Sequence, residues 1–526
     1  MMKTKAPTDS ATTRSRQHTR GRWSFVLAAL LGTIALLGAA CGGDDGGDSG
    51  GSGGDGGSAS ADDCPVDALD DADGPVEITL WHAVVGLTAQ TLEEFAEEYN
   101  ASQDKVQVKV ESQGQNYEEQ QKKFQDSLRD PDTLPNILLA EDTNTQFMVD
   151  SGSAIPAAAC IEADPDAGEV YDQLMPAVSN GYSVEGVQWP AAFGVSTPVL
   201  YYNKTHFQAA GLDPENPPTN LEEIRAASQA IADAKAAGKI VMADGNPVPD
   251  GPPFVYRADA WWLENLTTSA GQALVNNNNG RDGLATESEL LNDVTSEWTG
   301  WMDSMSADGL QKTVPYTGTF DAYLAIATQS ASLMIETSTA STTVDALIAG
   351  TLDASDIGMD ETSDLSGLKF PDLEIGVAEL PGVDKAGSGQ IGGNAWYLIG
   401  AGQSAEEVAA TWDYLKWINQ TPQQVKWTEQ GSYLPVFSGA EEDPGLQEYF
   451  TDSRPGIWLA TSLASLKKVD PEFPGPVIGP YKEFRNAVRT ALEDNLIGGS
   501  PATETFDKAN TEFQAALDTY KAEVGG

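Results

Sequence analysis

VEITLW at residues 76–81, VQVKV at 106–110 and NILLA at 136–140 are the three short runs that decide the fold. VEITLW alternates as a strand does, and Val106, Val108 and Val110 alternate with Gln107 and Lys109 in the same way. NILLA follows Pro135 and is a continuous apolar run, which suits a strand buried on both faces. Between the first two runs, residues 87–100 place Leu92, Phe95 and Tyr99 on one helical face; between the second and third, residues 117–128 are polar and helix-prone. Strand, helix, strand, helix, strand predicts a parallel sheet with right-handed crossovers. Such sheets bind ligands outside the carboxyl ends of their strands. The candidate contacts there are Trp81 and His82, residues 113–117, and Glu141 with Asp142.

A second α/β region follows. Residues 199–202 (VLYY) read as a strand, and Thr219-Asn220-Leu221-Glu222 reads as a capping box. It opens a helix with Leu221, Ile224, Ala227 and Ile231 on one face, closed at Gly238. Helical patterning recurs at 287–306 and 319–328, and strand patterning at 332–335, 373–378 and 395–399. Ser404 and Glu407 cap a helix running to Ile418; 421–430 and 480–496 are helical, and Pro501 opens a long last helix. The expected fold class is α/β, in two lobes.

Ahead of the first strand, residues 1–22 carry six basic side chains and one acid, and residues 23–40 are almost wholly apolar. This is a secretory signal. Its end, Leu37-Gly38-Ala39-Ala40-Cys41, resembles a bacterial lipobox, so residues 1–40 are expected to be removed and Cys41 to carry lipid. The alternative is an uncleaved membrane anchor. Residues 41–74 are expected to be a flexible tether, because residues 42–60 are only Gly, Asp, Ser and Ala and cannot bury apolar surface. With Cys41 lipidated, Cys64 and Cys160 remain as a pair, which in an exported protein reads as a disulfide; two buried thiols are the other reading.

The 526 residues carry 30 Lys and Arg against 79 Asp and Glu, a net charge of −49. Loss of the signal removes six bases and one acid and leaves −54. Nucleic acid and anionic membrane surfaces need a basic face, so neither is expected as a partner. Three histidines spread along the chain leave little for a histidine-rich metal site, and zinc spacings and a Walker loop are absent. Paired carboxylates of a glycosidase stay open, since so many acids contain pairs by chance.

Several residues admit two readings. Arg485, in a helix whose face carries Phe484, Val488 and Leu492, is an anion clamp or one half of a salt bridge. Ser196 and Ser338 end apolar runs in hydroxyl-rich turns, and cradle a phosphate or merely cap the turn. Gly392-Gly393 permits close backbone approach or a tight turn. Trp261 and Trp262 stack on a ligand or belong to the core.

On ITLWHAVVG (78–86), NYEEQ (116–120), LPNILLAED (134–142), STPVLYYNKTHFQAAGLDPENPP (196–218), IETSTAS (335–341), IGGNAW (391–396), GSYLPV (431–436) and FRNAV (484–488), the chain resembles the solute-binding proteins of ABC importers. Within them it is similar to the glycerol-3-phosphate and glycerophosphodiester binders. The resemblance implies the type II periplasmic-binding-protein fold, with a hinge crossed near Phe193, Gln390 and Gly439. The first lobe would be 75–192 with 390–440, and the second 193–389 with 441–526. It implies a monomer that closes on a small-molecule ligand without catalysis, cofactor or metal. The anchored protein would deliver that ligand to the membrane permease at the outer face of the cytoplasmic membrane. The ligand positions it implies are Tyr117, Asp142, Ser196, Ser338, Gly393, Tyr433 and Arg485, with Glu141 as a substitute where Asp142 is one methylene short. Leu221 falls where related binders can place a tryptophan. The space so left, with Trp261 and Trp262 nearby, leads to the expectation of a glycerophosphodiester over glycerol 3-phosphate. A neutral oligosaccharide is the alternative ligand, and a secreted carbohydrate-active hydrolase the alternative class.

Overall fold

A computed structural model of the chain describes residues 59–84, 86–114, 117–352, 369–370 and 373–524. The signal, Cys41 and residues 42–58 of the tether lie outside the described residues. Residues 59–74 correct the tether expectation. They form two short 3-10 segments, Ala61–Asp63 and Val66–Asp71, the first closed by a capping box between Ser60 and Asp63. Cys64 is disulfide-bonded to Cys160 with Cα atoms 5.0 Å apart, and Val66 and Leu69 pack on the first-lobe core. A cross-link and two apolar side chains outweigh the polar composition of the segment.

The sheet of the first lobe starts with β1 (Val76–His82), β2 (Val106–Ser112) and β3 (Ile137–Glu141). β1 lies between the other two and parallel to both. The crossovers are the helices Gly86–Ser102 and Tyr117–Ser127; Leu92, Phe95 and Tyr99 of the first are buried as their spacing predicts. A short β4 (Ala154–Ile155) and a hairpin of β5 (Ser183–Val184) and β6 (Val187–Gln188) lead to β7 (Val195–Ser196).

Only Thr197 separates β7 from β8 (Pro198–Asn203), which belongs to the second sheet. β9 (Phe254–Arg257), β10 (Gln311–Val314), β11 (Leu333–Thr337) and β12 (Ile375–Glu379) complete that sheet, in the order β10-β9-β11-β8-β12. β13 (Gly392–Ile399) then returns to the first sheet, whose order is β2-β1-β3-β13-β4, and its first residues also pair with β7. β13 is antiparallel to β3, and β8 to both its neighbours, so both sheets are mixed. The chain therefore forms two α/β lobes of discontinuous sequence. The third crossing, expected at Gly439, is not sharp: helix Arg454–Leu466 puts Trp458 into a second-lobe cluster and Leu459, Leu463 and Leu466 into the first-lobe core.

Two helix caps differ from the sequence reading. The cap at 219–222 sits one residue later, where Asn220 Oδ1 accepts from the Glu223 N–H at 3.0 Å and Glu223 Oε2 accepts from the Thr219 N–H at 2.7 Å. The helix expected over 287–306 runs Asp293–Ala307, with Asn292 as its cap. Among the described residues no helix is long and apolar enough to cross a membrane.

Candidate ligand-binding cleft

The carboxyl ends of β1 and β3 face the helix Tyr481–Leu496 of the second lobe across a cavity of about 560 Å³. This volume suits a small organic ligand. The first lobe supplies Tyr117, Glu118, Glu141 and Tyr433, and the second supplies Tyr316, Tyr481, Lys482, Arg485 and Arg489.

On the first-lobe wall, Tyr117 opens its helix and donates its hydroxyl to Asn394 Oδ1. Asn394, on β13, donates from Nδ2 to the Tyr433 hydroxyl at 2.9 Å. The Tyr433 ring is stacked on Trp427, with centroids 5.3 Å apart and planes 11° apart. Burial pushes the Tyr433 hydroxyl up to about 12 and holds that of Tyr117 well above its ordinary range, so both stay protonated. Asn394 is the shared partner that orients the two hydroxyls, and sequence reasoning missed it. The only signal was its place in IGGNAW.

On the opposite wall, Arg485 is not a free cation. Its Nε and Nη2 donate to Glu264 at 2.8 and 3.0 Å, and Nη1 donates to Glu141 Oε1 across the cleft at 3.4 Å. Glu264 is fully buried in helix Ala260–Ser269. It also accepts from the Tyr481 hydroxyl at 2.9 Å and from Gln390 Nε2 at 3.0 Å. Burial alone would lower the Arg485 pKa, but Glu264 and Glu141 outweigh it and raise it well above its ordinary value. Sequence reasoning missed Glu264, which sits beside polar Asn265 and carries no motif that sets it apart from the other acids.

Four residues further along the same helix, the Arg489 guanidinium lies over the Tyr316 ring, 3.5 Å from its centroid. Its nearest carboxylate oxygens are Glu118 Oε1 at 3.5 Å and Asp259 Oδ1 at 3.7 Å. Asp259 is held more closely by Arg257, at 2.8 Å, and Arg257 forks onto buried Glu336 with two bonds of 2.8 Å.

Of the residues named from the sequence, Tyr117, Tyr433 and Arg485 meet at this cavity, with Glu141 rather than Asp142. Asp142 lines a smaller adjoining cavity of about 30 Å³ with Arg281 and Tyr481. Burial there pushes its carboxyl up to about 7, opposed by Arg485 and reinforced by Glu141 and Glu264. Ser196, Gly393 and Ser338 sit where the lobes join. Ser196 pairs with Gly392, and the buried Ser338 hydroxyl accepts from the Thr197 N–H at 3.2 Å. Gly393 has φ +121°, and a Cβ there would lie 2.8 Å from the Gly194 carbonyl oxygen.

Leu221 corrects its expectation. It is packed among Ile224, Ile231 and Phe207 in the second-lobe core and does not line the cavity. An apolar side chain at a helix start beneath a sheet gains more from burial than from facing a polar cleft. The tryptophans give no open aromatic face either. Trp262 is fully buried under the Arg257 guanidinium, 5.3 Å from its ring centroid, and Trp261 is buried against Gly392. Among the described residues no group of three His, Cys, Asp or Glu is placed to hold a metal.

Two mixed α/β lobes, a chain that passes between them at β7–β8 and again before β13, and a polar cavity between the walls define a type II periplasmic-binding-protein fold. The chain belongs to the bacterial extracellular solute-binding protein family, whose profile matches residues 94–451. The sn-glycerol-3-phosphate-binding periplasmic protein of Salmonella typhimurium is 25% identical over 445 residues, covering 82% of this chain and 90% of that protein. UgpB from Mycobacterium tuberculosis in complex with glycerophosphocholine has a TM-score of 0.64 at 18% identity, covering 85% of this chain and 99% of that one. The cyclic alpha-maltosyl-1,6-maltose binding protein from Arthrobacter globiformis has a TM-score of 0.63 at 21% identity, covering 85% of this chain and all of that one (100%). The chain is thus an exported solute-binding protein of the ABC-importer class.

Proposed function

We propose that the cleft captures a glycerophosphate-type ligand, sn-glycerol 3-phosphate or a glycerophosphodiester, for delivery to an ABC permease by a protein anchored through lipid on Cys41. The observation that carries this reading is the division of one cavity into two chemistries. Glu141, Tyr117 and Tyr433 on the first-lobe wall suit glycerol hydroxyls: the Glu141 carboxylate accepts, the Tyr433 hydroxyl, itself an acceptor from Asn394, keeps its proton to donate, and the Tyr117 oxygen, whose proton goes to Asn394, can accept. Lys482, Arg485 and Arg489 on one helix of the other wall suit a phosphoryl group. The Salmonella relative, named for sn-glycerol 3-phosphate, supports the same ligand class. The cavity does not favour the diester over the monoester. Leu221 and the tryptophans lie elsewhere, and Lys482 and Arg489 line the cavity besides the Arg485 foreseen from the sequence.

A neutral oligosaccharide is the second reading, favoured by the four tyrosines that line the cavity, Tyr117, Tyr316, Tyr433 and Tyr481. A thermal-shift panel decides between them. Glycerol 3-phosphate and glycerophosphocholine are expected to raise the melting temperature, and maltose-type oligosaccharides to leave it unchanged. The reverse pattern overturns the phosphate-ester reading.

A further inference from the structure

The three cavity cations are not equivalent. Lys482, Arg485 and Arg489 follow one another at spacings of three and four, so they share one face of the helix. Arg485 is already matched by buried Glu264 in a two-pronged contact, and its remaining nitrogen points at another carboxylate, Glu141. A guanidinium so engaged has little left to offer an anion. Arg489 is the opposite case. It makes no hydrogen bond to any described residue; its buried Nε has only the Asp259 carboxylate, too far at 3.7 Å for one, and Nη1 only that of Glu118 at 3.5 Å. Its side chain is only 13% exposed, yet it borders the cavity. The nearer of its two distant acids, Glu118, is half exposed on the far wall and free to turn to solvent. Asp259 is committed to Arg257 at 2.8 Å and to the Trp261 N–H at 3.2 Å. Stacking on Tyr316 satisfies the face of the guanidinium and fixes its plane, while its donors lie at the edge. A planar, edge-on fork is the geometry that binds phosphoryl oxygens in pairs. Lys482 adds a second cation on the same face, with no ion pair to any described residue.

We propose that Arg489, held flat on Tyr316 and assisted by Lys482, is the group that grips the phosphoryl oxygens of the ligand. Arg485 is then a positioning residue that joins Glu264 to Glu141 across the cleft. This rests on the phosphate-ester reading of the cavity.

The test is calorimetry of glycerol 3-phosphate and glycerophosphocholine with the wild-type protein, Arg489→Gln, Lys482→Gln and Tyr316→Leu. The ligand-free melting temperature of each is recorded alongside. Arg489→Gln is expected to weaken both ligands about 10- to 100-fold, the range for one charge-assisted contact. Lys482→Gln and Tyr316→Leu should each weaken both ligands several-fold, and melting temperatures should shift little. Wild-type affinity in Arg489→Gln overturns the role of Arg489 and leaves the ligand class standing. Wild-type protein that binds neither phosphate ester overturns the ligand class and the role together. If Arg489→Gln lowers the melting temperature, Lys482→Gln decides, and unchanged affinity there overturns the proposal.

Discussion

Arg485 is the residue whose role changes most between sequence and structure. The sequence places it as a cation on an otherwise apolar helix face, and its replacement would then weaken ligand binding with little effect on the fold. The structure pairs it with a carboxylate that has no access to water. Arg485→Ala strands that carboxylate and is expected to cost about 3–5 kcal/mol of stability, read from urea unfolding. Arg485→Ala/Glu264→Gln should recover much of the loss, because Gln keeps an acceptor for Tyr481 and removes the charge. A stable single variant would mean that Glu264 is solvated after all. Asp142 gives a second test at this scale. Its carboxyl rises from 3.8 to about 7 on folding, through burial first, then Glu141 and Glu264, with Arg485 opposing. Between those two values the folded state keeps a proton that the unfolded state has lost. Asp142 therefore contributes stability that is present below about pH 4 and lost as pH rises through 7. The melting temperature of the wild type, measured against Asp142→Asn, should fall between pH 5 and pH 8; a flat difference would show that Asp142 is ionised throughout.

At the scale of elements, the segment Asn276–Gly280 holds three consecutive asparagines in the left-handed region, with φ of 54°, 53° and 60° at residues 277–279. Asparagine tolerates that region better than most residues, and Asn279 Oδ1 stabilises the turn by accepting from the Leu274 N–H at 2.9 Å. The turn delivers Arg281 to four backbone carbonyls, the longest contact being Nη2 to Gly181 at 3.5 Å. Nη1 donates to Asn180 and Ser183 in the first lobe, at 2.8 and 2.9 Å, and Nε donates to Gly475 at 2.7 Å. This strap ties a second-lobe turn to the first lobe beside the cleft. Arg281→Ala should shift the lobes toward an open arrangement, seen as a larger radius of gyration in solution scattering without ligand. An unchanged radius would show that the strap does not set the balance. The disulfide works at the same scale. Cys64 and Cys160 are 96 residues apart in sequence, and a loop of that length is worth up to about 4–5 kcal/mol in the chain-entropy account. Cys64→Ser/Cys160→Ser should lower stability toward that figure and release residues 59–74 to proteolysis.

For the whole molecule, charge is the dominant property. A chain of net −49 repels an anionic ligand at long range, while the cations at the cleft act only within a few ångströms. Association of a phosphate ester should therefore quicken as salt rises from low to physiological concentration, because screening weakens the repulsion. Stopped-flow measurement of the on-rate checks this. A rate that falls with salt would mean that Lys482, Arg485 and Arg489 steer the ligand from a distance.

Elements whose local pattern and burial agree were legible in advance. β1 to β3, their two crossover helices, the capped helix at Ser404 and the late helix at 481 come from periodicity and end signals, which are properties of neighbours in sequence. Tyr117, Tyr433 and Arg485 were legible through the motifs that carry them. Which partner each side chain meets was not legible, because it depends on segments hundreds of residues apart. Glu264 and Arg485 are 221 residues apart, and Tyr117 and Asn394 are 277 apart. In a chain with 79 acids no pattern marks the one that a helix will bury. Local pattern and composition carried two α/β lobes, an export signal and an acidic chain. Packing across the two lobes sends Leu221 to the core, sets Glu264 against Arg485, and leaves Arg489 without a hydrogen bond at the cavity. Those outcomes follow from desolvation and charge pairing between distant segments, which no local pattern encodes.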